Sequence, residues 1–481
     1  MSRSRDQLRR DALQIWQAGV EAVRSERLVR QALRVEGSAL VVGDQCLELA
    51  SIGRIAVVGA GKAGAGMAAA VEEALGARLL QQKQLTGWVN VPEDCARPLA
   101  RIRLHPARPA GANEPTPAGV AGTEEILRLI GSLGREDLCL CLLSGGGSAL
   151  LPAPVEGVTL EDKLALTRHL SASGANIEQL NTVRKQLSRV KGGGLARACR
   201  AGRLVALIIS DVLGDPLDVI ASGPTVEDSS TPQAALEVLE RFQARKAGIS
   251  PRVFDYLRAK AAGPLPAEAV SARRGAAPRP KARGRCASPP CQVTNLIIGN
   301  NATAVDAAGR MAERLGYSPA MLSARHCEGP AEEVGRHLAE VALRMRDSAG
   351  PDCLVSGGEP VVKLVETEAR GLGGRNQQLV LAAVEGLLDD GADGIALLAG
   401  GTDGEDGPTD AAGAVLDAGV IAGARGRGLK PADYLARNDA YHFFKPLDAL
   451  LKTGPTHTNV CDLRVVLVSR PCTPRPGAAE C

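Results

Sequence analysis

Short apolar runs recur along this chain, separated by longer stretches in which apolar positions follow helical spacing. The runs at 54–59 (RIAVVG), 86–91, 138–143 (LCLCLL), 203–210 (RLVALIIS), 295–299 and 464–468 are too short and too evenly apolar for independent helices and predict buried strands. Between them, 65–75, 117–133, 178–187, 302–315 and 331–346 predict helices. A further helix should open at Thr159, with Glu161 and Asp162 opposing the positive end of its dipole. Residues 6–33 predict one or two amphipathic helices on the outside of the fold. Such alternation is the signature of an α/β fold, with a parallel sheet covered by helices.

The strand ends are unusually rich in glycine and polar residues. The run at 138–143 breaks into Ser144-Gly145-Gly146-Gly147-Ser148, where residues without a β-carbon let successive amides turn toward one point and bind an anion. A tight turn alone rarely needs three adjacent glycines. Comparable loops follow the other strands: Gly59-Ala60-Gly61-Lys62-Ala63-Gly64, the segment from Asp211 to Asp215, SGGEP around Glu359, GLGGRNQQ around Arg375 and Asn376, and AGGTDGEDGPTD around Asp403. In open α/β sheets that edge is where ligands bind.

Length and composition narrow the partners. A chain of 481 residues suggests two domains: 1–250, then 293–470, joined by a flexible basic, Pro-rich insertion at 251–292. Aromatics at 2% disfavour stacking on nucleic acid, and 57 basic against 54 acidic residues give no global field for DNA or an anionic membrane. A small-molecule substrate is the expected partner, without nucleic acid or membrane. The twelve cysteines show no zinc-type spacing and read as reduced thiols. With no apolar h-region behind its first arginines, the chain reads as a soluble cytoplasmic protein, of oligomeric state not legible here.

GAGKAG at 59–64 matches G-x-G-x-x-G between a strand and a helix, so a nicotinamide dehydrogenase must be weighed. The ribose-binding acid expected about 20 residues on is missing, because the next strand ends at Asn90-Val91, which argues against that reading. Lys62 and Arg375 each follow a glycine-rich turn at the start of a helix, where a cation is locally unfavourable unless an anion joins it. Two such cations suit a transferring phosphoryl group. Asp211, Asp215, Glu359, Asp403 and Asp406 are hard oxygen donors able to hold Mg²⁺, though each also fits a turn.

VVGAGKAGAGMA, LLSGGGSALLPAP, LNTVRKQLSRVKGGGLA, SDVLGDPLDVIASGPT, SGGEP with GGRNQQ, and AGGTDGEDGPTDAAGA, in this order, resemble the MOFRL-type glycerate 2-kinases over nearly the whole chain. The resemblance implies a Rossmann-like N-terminal domain, a smaller α/β C-terminal domain and an active site in the cleft between them. It also implies phosphorylation of D-glycerate to 2-phosphoglycerate with ATP and Mg²⁺. In that light Lys62 and Arg375 are the expected catalytic residues. Gly59, Gly61, Ser144, Gly145, Gly146, Gly147 and Ser148 would hold nucleotide phosphates, Arg184, Lys191 and Asn376 the substrate, and Asp211 and Asp403 the metal. His457 replaces the glycine of the related TGPTGTN ends. The rival is an NAD(P)H-dependent hydroxypyruvate reductase, and a non-catalytic nucleotide-binding protein is a third reading.

Overall fold

A computed structural model describes residues 3–263 and 291–470. Its contacts divide the chain into two compact units: Val29–Ile208 with Pro216–Leu296, and Met1–Leu28 with Ile209–Asp215 and Ile297–Cys481. The division departs from cuts at 250 and 293. The N-terminal helix Arg5–Ala22 belongs to the second unit, where Leu8, Ile15 and Trp16 are buried in its core rather than lying on the outside. Trp16 anchors it by donating to Gly400 O at 3.3 Å.

The first unit carries a small antiparallel sheet of β1 (Leu33–Glu36), β2 (Ala39–Val42) and β3 (Gln45–Glu48), which the apolar pattern did not predict. Its main sheet has the order β6-β5-β4-β7-β8-β9, built from β4 (Ile55–Ala60), β5 (Thr86–Pro92), β6 (Ile102–Arg108), β7 (Leu138–Leu143), β8 (Arg203–Ile209) and β9 (Gln292–Gly299). The pairings β5-β4-β7-β8 are parallel, as expected, and β6, which the apolar pattern did not predict, adds to them in parallel. β4 and β7 are buried at every residue because helices cover both faces, which explains their unbroken apolar runs.

Helices Leu160–Ala172, Ile177–Gln186, Pro232–Arg241 and Pro251–Ala261 share a second core of the first unit around Leu166, Leu170, Val183, Leu239, Phe254 and Leu257. Capping boxes fix where two of them begin: Thr159 with Asp162, and Asn176 with Gln179. Pro251–Ala261, assigned by sequence to the flexible insertion, is thus a packed helix, and Gln292 opens β9. The basic stretch 264–290 lies outside the described residues.

The second unit is α/β but its sheet is mixed. β10 (Pro319–Ser323), β11 (Cys353–Gly358), β12 (Ile395–Gly401), β13 (Gly413–Asp417), β14 (Leu450–Leu451) and β15 (Asp462–Val468) lie in the order β10-β11-β15-β12-β13-β14. Only β10-β11 pairs in parallel among these. Antiparallel β15 between β11 and β12 brings its first residue, Asp462, beside the glycine-rich ends of both neighbours.

Candidate functional site

In the first unit the loops after β4 and β7 interlock. Gly61 N–H donates to Asn90 O (3.2 Å), Lys62 N–H to Gly145 O (2.9 Å) and Ala63 N–H to Ser144 Oγ (3.1 Å), while Ser144 N–H donates to Ala60 O (3.2 Å). Such contact needs glycine. A β-carbon on Gly61 (φ +151°) would sit 1.9 Å from Ser144 Oγ, and one on Gly59 would sit 2.2 Å from Leu142 O. Gly59 and Gly61 therefore supply close approach, and buried Ser144 spends its hydroxyl holding the first loop.

The triple-glycine loop keeps a free amide face. Gly146 is left-handed (φ +76°), and among the described residues the N–H groups of Gly145, Gly146 and Ser148 have no acceptor, the condition for an anion nest. Gly147 packs against Ala60 O. Arg108 and Lys62 flank this face: a β-carbon on Gly146 would lie 3.0 Å from Arg108 Nη2 and 3.8 Å from Lys62 Cγ.

Ser148 joins that face to a cationic cluster. Its hydroxyl accepts from Arg184 Nη2 (2.9 Å) and Lys191 Nζ (2.8 Å) and lies 2.9 Å from Ser222 Oγ, which donates to Asn181 Oδ1 (3.1 Å). Ala221 and Ser222 are non-glycine residues at positive φ, so the turn that delivers Ser222 is strained. Lys163 donates to Leu187 O at 3.0 Å. Burial, then Arg184, pushes Lys163 down to about 7, and burial with Arg184 and Lys163 holds Lys191 well below the ordinary lysine range. Burial also lowers Arg184. The second glycine triplet is structural: Gly192 and Gly193 donate to Ser222 O and Gly223 O.

The second unit gathers the other predicted residues around Arg375, the first residue of helix Arg375–Gly386. Its Nε and Nη2 donate to Asp462 (2.7 and 3.1 Å) and its Nη1 to Glu359 (2.7 Å). Asp406 caps the same helix from a neighbouring loop, accepting from the backbone amides of Asn376 (3.0 Å) and Gln377 (2.8 Å). Asn376, expected at the substrate, is fully buried and donates through Nδ2 to Asp462. It orients the carboxylates. Cys461, at φ +69°, donates to Asp211 O (3.1 Å), with its sulfur 3.9 Å from Glu359. Asp403 Oδ1 accepts from Glu405 N–H in its own turn, and a β-carbon on Gly401 would meet both Asp403 and Asp462 within 3.7 Å.

Two carboxylates, Asp462 and Glu359, thus share one guanidinium, and Asp406 lies behind them on the helix amides. Burial raises Glu359, opposed by Arg375 and reinforced by Asp462. Burial also raises Asp406 to about 7 against the pull of the Asn376 and Gln377 amides. Arg375 is held charged, because Asp462 and Glu359 outweigh the burial that opposes it. No three metal-ligating side chains converge among the described residues.

Every predicted site residue thus falls in one of two clusters: Lys62, the two glycine loops, Arg184 and Lys191 in the first unit, Arg375, Asn376, Asp211 and Asp403 in the second. The sequence reading missed Lys163, Ser222, Asn181 and Asp462. Lys163 left a signal, as a lysine inside the stripe Leu160, Leu166, Leu170 of its helix. Asp462 left one too, as an acid opening an apolar strand.

Comparison with known proteins matches residues 11–258 to a domain of unknown function, DUF4147, and residues 352–462 to the MOFRL family. A glycerate kinase of Homo sapiens is 37% identical, over 96% of this chain and 93% of that protein. A D-glycerate 2-kinase of Thermotoga maritima is 36% identical, over 96% and 99%. A protein of Agrobacterium vitis named as a hydroxypyruvate reductase, without firm assignment, is 39% identical over 87% of this chain and all of its own length. The crystal structure of a Thermotoga maritima glycerate kinase superposes with a TM-score of 0.77 at 35% identity, covering 96% of this chain and 100% of that one.

Proposed function

The chain belongs to the glycerate kinase family that joins a DUF4147 domain to a MOFRL domain, and from that premise we propose that it transfers the γ-phosphoryl group of ATP to the 2-hydroxyl of D-glycerate. The hydroxyl oxygen forms the new bond to phosphorus, the bond from the γ-phosphorus to the β–γ bridging oxygen breaks to release ADP, and the hydroxyl proton is lost. The product is 2-phosphoglycerate.

The observation that carries this reading is the amide face of Gly145, Gly146 and Ser148, flanked by Lys62 and Arg108. Phosphoryl transfer needs positioned donors and positive charge more than covalent help, and this loop offers both. Nucleotide phosphates are assigned to it, with Lys62 neutralising charge that develops on the transferred group. Arg184 and Lys191 are assigned to the substrate. Arg375 keeps the catalytic role expected of it, but it acts with Asp462 and Glu359 attached. A Mg²⁺ ion, when bound, would offset phosphate charge. Asp211 and Asp403 are hard oxygen donors of the kind it takes, and one or two carboxylates suffice when phosphates and water complete the shell.

The reductase reading is weakened by the first loop. Its N–H groups at Gly61, Lys62 and Ala63 are consumed by Asn90, Gly145 and Ser144, leaving no amide face for a pyrophosphate. The missing ribose acid is no longer an argument, since β5 runs on to Pro92 and Glu93 and Asp94 follow it.

The test supplies the protein with D-glycerate, ATP and Mg²⁺ and, in parallel, with hydroxypyruvate and NADH or NADPH. ADP formation, with 2-phosphoglycerate identified by phosphorus NMR, is expected. Oxidation of reduced nicotinamide by hydroxypyruvate without ADP formation would overturn the proposal.

A further inference from the structure

Helix Leu160–Ala172 turns Leu160, Leu166 and Leu170 inward, and in the middle of that stripe stands Lys163. Its ammonium reaches Leu187 O, just past helix Ile177–Gln186, which carries Arg184. Arg184 and Lys191 both end on the Ser148 hydroxyl. Among the described residues, none of these three cations forms an ion pair.

Two other buried bases among the described residues have acids. Lys185, one residue beyond Arg184, turns to Asp218 (3.1 Å) and Asp228 (3.9 Å), and Arg464 is held by Glu328. Burying like charges together without a counter-charge is unfavourable, so two such groups on one hydroxyl, with Lys163 on Leu187 O just past the helix of Arg184, mark a place that a ligand completes.

We infer that Lys163, with Arg184 and Lys191, seats the carboxylate of the hydroxy-acid substrate, making Lys163 a binding and specificity residue for that acid. This rests on the kinase reading above. The amide face of Gly145, Gly146 and Ser148 suits a phosphate, whereas a planar carboxylate matches the fork of a guanidinium with ammonium groups beside it. Ser148 touches both places, so acid and phosphate would meet across one side chain.

The charge state of the seat gives a signature. The charged groups facing Lys163 are Arg184 and Lys191. On its own helix Asp162 is engaged in the Thr159 cap and Arg168 is paired with Glu114, while Lys260 is turned to Gln186 O. With burial and Arg184 pushing Lys163 to about 7, it is mostly neutral at pH 8, and an arriving carboxylate restores its proton. Acid binding should therefore take up protons.

The experiment is calorimetric titration at pH 8 with D-glycerate alone, and separately with a non-hydrolysable ATP analogue, each in two buffers of different ionisation enthalpy. Wild type is expected to take up protons with D-glycerate. Lys163→Met should lose about tenfold or more in D-glycerate affinity and take up fewer protons, with nucleotide affinity unchanged. Lys163→Arg, always charged, should keep the affinity within a few-fold yet also take up fewer protons, a split that a merely structural lysine would not give. Should the methionine variant fail to fold, the arginine variant decides alone. Unchanged D-glycerate affinity in Lys163→Met, a fall in nucleotide affinity instead, unaltered proton uptake in Lys163→Arg, or no D-glycerate binding by wild type would overturn the inference. D-glycerate binding without ATP turnover would sink the kinase reading and leave this one standing.

Discussion

The surroundings of Ser148 and of Arg375 answer the same sequence signal in opposite ways. Each region places cations beside glycine-rich strand ends, and on sequence alone both suit a phosphoryl group. Around Ser148, Lys163, Arg184 and Lys191 have no acid partner among the described residues. Around Arg375, Asp462 and Glu359 bind the guanidinium directly and Asp406 lies behind them. The difference teaches that a cation near a glycine loop is available to an anion only after its own acid partners are counted. The first region attracts anions; the second is net acidic and better described as a braced carboxylate cluster that Arg375 holds together.

The sharpest way to break this contrast is to remove one cation from each region. Arg184→Met should lower kcat/KM for D-glycerate by on the order of 10²–10³, chiefly by raising KM, because a charge-assisted contact to the carboxylate is lost. Its denaturation midpoint should stay level or rise, because a repelling charge is gone. A loss of stability in Arg184→Met would mean that Arg184 has a structural anion partner after all.

Arg375→Met should lower turnover too but differ in stability, destabilising the protein by about 3 kcal/mol in chemical denaturation, because fully buried Asp462 would keep an uncompensated charge. Adding Asp462→Asn should recover part of that loss. Unchanged stability in Arg375→Met would remove the bracing role.

The pH dependence of stability should also split by region. For Asp406, raised from an ordinary 3.8 to about 7, the folded state holds more protons than the unfolded one between those values, so stability is greatest below about 4 and falls as pH rises toward 7. For Lys163, lowered from 10.5 to about 7, the folded state holds fewer protons between 7 and 10.5, so stability rises across that window. Each arm has a limiting slope of about 1.4 kcal/mol per pH unit. Asp406→Asn should flatten the acidic arm alone, and Lys163→Met the alkaline arm alone. An unchanged arm in either variant would refute the corresponding assignment.

The chain's periodicity made the parallel sheet legible, because β4, β7 and β8 are buried on both faces and read as unbroken apolar runs. β1 to β3, β6, β10, β13 and β14 were not legible: most are short, and β6 and β10 carry exposed residues. The membership of Arg5–Ala22 was hidden for another reason. Amphipathic spacing says that a helix has a buried face but not which core receives it. At the site, loops could be named because glycine is informative, whereas partners 40 to 90 residues away, such as Asp462 for Arg375 or Ser222 for Ser148, come only from the fold. Gly59 and Gly61 show the limit of a motif: the glycines are required, but for packing against the neighbouring loop.

The smallest expected effect sharpens the contrast most finely, because it separates the amide face from the cations beside it. Gly146 is left-handed, and a β-carbon there meets only the end of the Arg108 side chain at 3.0 Å, a neighbour that can give way. Gly146→Ala should therefore fold, with a penalty of about 1 kcal/mol for placing alanine at that φ. The Gly145 and Gly146 amides would turn from their common point as the backbone relaxes toward negative φ. Affinity for a non-hydrolysable ATP analogue should fall by about tenfold, roughly the worth of one charge-assisted hydrogen bond, while D-glycerate affinity stays within twofold. If nucleotide affinity is unchanged in a folded Gly146→Ala protein, the nest does not hold phosphate. If D-glycerate affinity falls instead, the phosphate and carboxylate assignments on the two sides of Ser148 must be exchanged.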